Sequence, residues 1–353
     1  MTICVDGWSK KNLANSFLGI SACFFDAQCK PGKPQHVTLS IAELPYPHTG
    51  TAIAECMSRC LSEWEISAEK VLMVVSDNGA NIIKAVQILA ENAAVASSVV
   101  DEYETAVSDT EIEDEVEGDN SEEESEDDTH DSDSETFELE TVSYRRMMCM
   151  AHTLQLVIKT AYNHYNTLLT KARHLVGKMR KSGKAMQELH IKCGKTVFTD
   201  NATRWNSTFN MIKRLLELRS EVSALLVDMR IDSLQVSEWD RLSEFCTLLE
   251  PFATQTNILQ TDSRSISYAI PALFDLECHL KSFSANKTIA KTMLNDMHTR
   301  FSCLLSPDSP SFNPIPAASC LLDPGVAAVM LTTELAPVCE AAKTFILSQV
   351  CEN

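Results

Sequence analysis

Apolar residues fall in three β-type runs at the start of the chain: Thr2–Trp8, Ser16–Phe25 and His36–Leu44. Turn-forming residues bound them, KPGKP before the third run and Pro45 and Pro47 after it. Strand-type runs joined by short turns predict an antiparallel meander. The period then changes. In Thr51–Trp64, the positions of Ile53, Cys56, Met57, Cys60, Leu61 and Trp64 predict an amphipathic helix. Val71–Val75 is a continuous apolar run, the pattern of a strand covered on both faces. The loop SDNGAN follows, and helical spacing returns over Ile82–Ala94. The order β-β-β-α-β-α predicts a mixed α/β layer. Tyr144–Met150 is read as one more short strand.

From Ala151 onward the period is helical. Trp205, Phe209, Ile212, Leu215, Leu216, Val222 and Leu225 make one apolar stripe. Ser237 is expected to start another helix, with Asp240 as a capping-box partner and Trp239, Leu242, Phe245, Leu248 and Leu249 on the buried side. Pro251 is expected to bend or end it. The Pro-rich stretch 305–325 reads as a loop. An α/β region is therefore followed by an all-α region.

Length, at 353 residues, is enough for about two domains. The net charge of −19 at first opposes nucleic acid as a partner, because phosphate contacts need a basic surface. Its location changes that reading. Residues 101–140 carry 21 of the 49 acids and no Lys or Arg, which leaves 28 acids against 30 bases elsewhere. That stretch is Ser-rich and poor in apolar groups, so it reads as disordered. Ser121, Ser125 and Ser132 lie in acidic contexts that suit acidophilic kinases. No run is long and apolar enough for a membrane helix, so no membrane partner is expected. The 13 cysteines contain no C-x-x-C pair and are expected as free thiols in a reducing compartment.

Four features could carry chemistry. Asp6 in the first strand and Asp77 just past the central strand can lie side by side at a carboxyl edge. Paired carboxylates there would suit Mg²⁺ or Mn²⁺; a lone Asp at a strand end more commonly caps a loop. Cys149 and His152 form C-x-x-H before a helix, either half a zinc site or a buried thiol and a hydrogen-bonded ring. Arg204 and Trp205 could hold a phosphate and stack a base, or Trp205 could be core. Lys171–Lys195 has eight bases against one acid, and Lys171, Lys178, Lys181 and Lys184 are spaced to share a helix face, a phosphate-contacting patch or a solvated surface.

These residues sit in a wider pattern: VDGWS at 5–9, HTG at 48–50, SDNGANI at 76–82, CMAHTLQL at 149–156, TRWNSTFNMIKRLLELR at 203–219 and LLDPG at 321–325. The pattern resembles the transposase domain of the hAT superfamily and, within it, the domesticated zinc finger BED domain-containing proteins. The resemblance implies an RNase H-like mixed-sheet core interrupted by a large all-α insertion domain. It places the first part of the core at 1–100 and the acidic insertion at 101–143. The last strand and following helix fall at 144–163, and the helical insertion domain at 164–353. It also implies a nuclear protein that binds DNA and protein partners, including a full-length relative.

Such transposases use two Asp and one Glu to bind metal. Asp6 and Asp77 match the two Asp, Cys149 and His152 match the family C-x-x-H near the scissile phosphate, and Trp205 resembles the Trp that stabilises a flipped base. The family Glu lies beyond the LDP motif. Only 28 residues follow Gly325, and Glu334, Glu340 and Glu352 stand in no recognisable motif. The catalytic C-terminal and dimerisation parts, and the BED finger, are expected to be missing. The reading is a non-catalytic, regulatory protein, with an active metal-dependent transposase using Asp6 and Asp77 as the alternative.

Overall fold

The computed structural model describes residues 1–9, 15–26, 34–44, 46–105, 144–201, 205–261, 266–284 and 287–351, with side chains omitted for 96–105 and 284. The expected acidic insertion from residue 106, with Ser121, Ser125 and Ser132, lies outside them, as do Arg204 and Glu352. Two compact units form, Met1–Phe25 with Gln35–Met147, and Met148–Asn353 with Asp26–Pro34.

The first unit contains β1 (Thr2–Ser9), β2 (Ser16–Phe25), β3 (Pro34–Leu44), α1 (Gly50–Glu63), β4 (Met73–Ser76), α2 (Ala80–Thr105) and β5 (Arg146–Met148). Its sheet order is β3-β2-β1-β4-β5. β1 pairs antiparallel with β2 and parallel with β4, so the sheet is mixed. Alternation decides which residues enter the core. Ile3 and Val5 of β1 and Leu18, Ile20 and Ala22 of β2 are buried in one cluster with Ile53, Met57 and Leu61 of α1 and Ile82, Val86 and Leu89 of α2. The five predicted strands and both helices are present. α2, however, continues to Thr105, five residues into the stretch read as disordered.

The HTG motif has a structural role in this unit. The Thr49 hydroxyl caps α1 by accepting the Ala52 N–H at 3.2 Å. Gly50 then lets α1 approach α2 closely. A Cβ there would lie 2.8 Å from both Cβ and Cγ of Lys84 and 3.1 Å from the Asn81 carbonyl. Gly50→Ala should therefore destabilise this unit by about 1–3 kcal/mol, the usual cost of overpacking. Chemical denaturation checks it; an unchanged midpoint would show that the helices separate freely.

The second unit is helical, with α3 (Met150–Lys181), α4 (Gly183–Cys193), α5 (Trp205–Glu217), α6 (Arg219–Asp228), α7 (Val236–Leu259), α8 (Ala269–Ser284), α9 (Thr288–Arg300), α10 (Ser302–Leu305), α11 (Ile315–Leu322) and α12 (Ala336–Cys351). α3 is its longest helix, about 48 Å at 1.5 Å per residue, and it packs on α5, α7 and α9. No described helix is long and apolar enough to cross a membrane.

Four sequence expectations change here. The stripe from Trp205 to Leu225 is two helices, because the backbone at Leu218 leaves helical geometry (φ −105°, ψ 21°). The cap of α7 is Gln235 with Glu238, two residues earlier than Ser237 with Asp240. Pro251 does not end α7, which runs on to Leu259. Pro251 has no N–H for the Thr247 carbonyl four residues back, and in the same turn His279 of α8 donates from Nε2 to the Leu248 carbonyl at 3.1 Å. Finally, 305–325 is not all loop. Asn313 Oδ1 accepts the Ile315 N–H at 3.0 Å, and Pro316 sits in the first turn of α11, where a missing N–H costs nothing.

Candidate functional site

The parallel pairing of β1 and β4 builds the carboxyl edge. Thr2, Ile3, Cys4 and Val5 face Met73, Val74, Val75 and Ser76 in register. One step further along both strands come Asp6 and Asp77. Asp6 is exposed and Asp77 half-buried. Two residues on from Asp6, Trp8 stacks on Phe17 with ring centroids 5.9 Å apart. Its indole lies over Gly19, where a Cβ would approach it to 2.9 Å.

Asp77 does two local jobs. Its Oδ1 accepts the Gly79 N–H at 3.1 Å, closing an Asx turn before α2. Its carbonyl accepts from the Ser76 hydroxyl at 3.0 Å and from Arg146 Nη2 at 2.5 Å. Arg146 also donates from Nε to Ser76 Oγ at 3.0 Å and from Nη2 to Asn78 Oδ1 at 2.7 Å. One guanidinium thus holds three consecutive residues.

This edge fits a resident Mg²⁺ or Mn²⁺ poorly. One oxygen of Asp77 is committed to its own turn, and a fixed positive charge sits on the same loop. The described residues also contain no group of three or more His, Cys, Asp or Glu able to hold a metal ion.

Cys149 and His152 lie at the start of α3. Cys149 is its N-cap and is half-buried, with its carbonyl accepting the Thr153 N–H at 3.0 Å and the Thr153 hydroxyl at 3.1 Å. His152, also half-buried, is the third residue of the helix. All the described cysteines are free. Burial pushes the Cys246 thiol up to about 12, so it carries no thiolate at neutral pH.

Trp205 opens α5 and is half-buried, its ring 6.4 Å from that of Phe209. The Tyr162 hydroxyl donates to its carbonyl at 2.7 Å. Asp200 and Asn201, the last described residues before Trp205, are held by a part-buried network. Arg173 of α3 donates from Nε to Asp200 Oδ2 at 2.7 Å and from Nη2 to Thr208 Oγ1 at 3.2 Å. Thr208 in turn donates to Asp200 Oδ2 at 2.6 Å. Ser207 Oγ accepts the Asn201 N–H at 2.8 Å and donates to the Asn201 carbonyl at 2.7 Å. Burial pushes the Asp200 carboxyl up, but the Thr208 bond and the Arg173 bond and charge outweigh it and hold it below its usual range. The Ser-Thr of TRWNST therefore ties its own loop.

The basic stretch is divided. Ser182, with extended backbone, ends α3, and its hydroxyl accepts the Ala185 N–H at 3.2 Å to start α4. Lys184 is thus on a different helix from Lys171, Lys178 and Lys181, and it pairs with Glu188 at 3.8 Å. Lys171 pairs with Glu238 of α7 at 2.7 Å. That bond and the Gln235 N–H hold the Glu238 carboxyl below its usual range. Arg173 faces Asp200, and Lys195 binds Glu217. Lys178, Arg180 and Lys181 are exposed in the last turn of α3 and form no ion pair among the described residues. A helix C-terminus favours cations, so these charges are stable there without acidic partners.

Sequence reasoning missed Arg146, Asp200, Thr208 and Tyr162. Arg146 stands next to Arg145 with no diagnostic spacing. For the Asp200 network, an acid with Ser and Thr seven and eight positions on was the available signal.

Comparison with known proteins matches two family descriptions. The ZBED1 RNase-like domain matches residues 4–104, and the ZBED1 RNase-like helical domain matches residues 147–248. These fall on the mixed sheet with its two helices and on the first helices of the second unit. Human zinc finger BED domain-containing protein 4 is 23% identical over 198 residues, 53% of this chain and 17% of that protein. The aligned part is thus a small share of the relative. The mixed five-stranded sheet in RNase H-like order, the motifs on its carboxyl edge and both domain matches agree: the chain belongs to the ZBED-like proteins derived from hAT transposases.

Proposed function

We propose that the chain is a domesticated hAT-type protein that acts in the nucleus, in DNA-associated or protein–protein regulation, without cleaving DNA. On this reading the helical unit is the large insertion of an RNase H-like core. DNA and other proteins, a full-length relative among them, are its partners. The observation that carries the reading is the state of the carboxyl edge. One oxygen of Asp77 is committed to its own turn, and Arg146 holds the loop where a catalytic metal would need freedom.

Phosphate contact is assigned to Lys178 and Lys181, exposed lysines in the last turn of α3 with no ion pair among the described residues, with Arg204 and Trp205 as the second contact. Lys171 and Lys184 serve their ion pairs first. K178E/K181E should weaken binding to duplex DNA and flatten the plot of log affinity against log salt by about 2, at roughly 0.9 per phosphate lost. Gel shift across a salt series measures it. An unchanged slope would remove this surface from the interface.

One observation favours the alternative of an active transposase: Asp6 and Asp77 directly follow Val5 and Ser76, the last pair of the parallel β1–β4 register. Incubation with Mn²⁺ and hairpin-prone or terminal-repeat DNA separates the two readings. No cleavage is expected; cleavage lost in Asp6→Ala and Asp77→Ala would establish the enzyme.

A further inference from the structure

We infer that Arg146 is a built-in clasp on the loop that carries Asp77, locking it through its backbone in a form that does not recruit Mg²⁺ or Mn²⁺. The inference rests on reading Asp6 and Asp77 as the remnant of a metal-binding pair. Arg146 is the first residue of β5, and the sheet order places β5 next to β4. From there its guanidinium reaches the end of β4 and bonds Ser76, Asp77 and Asn78 in turn.

The donors and acceptors of this clasp are consistent throughout. Ser76 Oγ accepts from Arg146 Nε and gives its own proton to the Asp77 carbonyl. That carbonyl takes a second bond from Nη2, and the remaining contact goes to the Asn78 amide oxygen. Ser76 is buried, so the clasp is anchored in the core rather than resting on the surface. Asp77 Oδ1 is held by the Gly79 N–H at the other side of the same turn.

A small divalent ion demands near-octahedral oxygen ligands at about 2.0–2.1 Å, so the carboxylates must turn to meet it. Here the loop cannot turn without breaking the Asx bond and the guanidinium contacts. The fixed charge also repels a second cation and takes up part of the field that two carboxylates would offer it. An arginine cannot lose its proton in a protein, so this charge is permanent over the physiological pH range. The edge keeps its two aspartates, while a guanidinium beside them fixes the loop that carries the second.

Metal titration tests this directly, with Mn²⁺ binding followed by electron paramagnetic resonance and by calorimetry on the full chain. Wild type should show no saturable binding that depends on Asp6 or Asp77 up to about 1 mM, since two unassisted carboxylates are poor ligands for these ions. R146M, which removes the charge and keeps the length, should tighten binding by about tenfold or more, the order expected for one unit charge near a protein surface. D77N placed on R146M should abolish that gain. R146K, which keeps the charge, should stay at the wild-type level.

Saturable wild-type binding that is lost in D6N or D77N would overturn the inference, whether or not R146M folds. So would a folded R146M with unchanged affinity, or an R146K as tight as R146M. These readouts are separate from DNA binding. Failure of the gel-shift experiment would remove the Lys178–Lys181 surface from the proposed interface and leave the metal result standing.

Discussion

Phe245→Ala should cost the helical unit about 3–5 kcal/mol of unfolding free energy, the usual price of removing a buried aromatic. Phe245 on α7 is 0% exposed. Its ring meets Tyr162 and Tyr165 of α3, each at 5.4 Å and near right angles. Edge-to-face pairs add to the area term because a positive ring edge meets a negative face. The cavity would open between α3 and α7, which pack directly on one another. It could not collapse easily, because both tyrosines are tethered by their hydroxyls. Tyr165 bonds Glu244 at 2.6 Å, and Tyr162 bonds the Trp205 carbonyl at 2.7 Å. Phe245→Leu should cost much less, about 1–1.5 kcal/mol, because most of the volume remains. Urea denaturation followed by far-ultraviolet circular dichroism compares the two. A loss below about 1 kcal/mol in the Ala variant would show that the α3–α7 seam closes over the gap.

Asp200→Ala should cost about 2–3 kcal/mol. Removing one partner of a buried ion pair typically costs more, about 3–5 kcal/mol, because the other charge is left unpaired. Here the Asp200 side chain is 9% exposed and that of Arg173 is 32% exposed, so water partly rescues the guanidinium. Thr208 would lose its acceptor as well.

The pH dependence has a definite sign. The Asp200 carboxyl is held below its usual value in the folded chain. Its contribution is then fully present above the unfolded value of about 3.9, and it is lost as pH falls through the lower folded value. The stability gap between wild type and Asp200→Asn should be flat above about pH 5 and shrink below about pH 4. A gap that stays constant to pH 2 would mean that the carboxylate is not paired. The same network joins Asp200 to Thr208, in the first turn of the helix that Trp205 opens. Asp200→Asn should therefore weaken DNA binding at neutral pH if Trp205 contacts DNA, whereas Phe245→Leu should leave it nearly unchanged.

Much of the fold was legible because its signals are local. Alternation in Thr2–Trp8 and Ser16–Phe25 gave strands, and the three- and four-residue spacing of Ile53, Met57, Cys60 and Leu61 gave α1. The misreadings came where a distant partner overrides the local signal. Pro251 looks like a helix bend or end, but Phe252, Ala253 and Thr256 beyond it are buried and α7 runs on to Leu259. Lys171 to Lys184 looks like one basic face until Ser182 turns the chain and Glu238 claims Lys171. Asp240 looks like a cap partner until Glu238 fills that role.

The candidate site divides in the same way. The residue types and motifs, Asp6, Asp77, the C-x-x-H pair and TRWNST, stand in the sequence by themselves, and they were enough to fix the family and the order of its parts. What each does could not be read there. Whether two aspartates meet depends on the register of two strands some seventy residues apart. Whether they are available to a metal depends on an arginine seventy residues further on. Periodicity and capping act within a turn or two of the chain, so the sequence determined the elements. Pairing of charges and strands acts across space, between groups that no spacing rule connects, so the tertiary structure alone decided which carboxylates and lysines remain free to act.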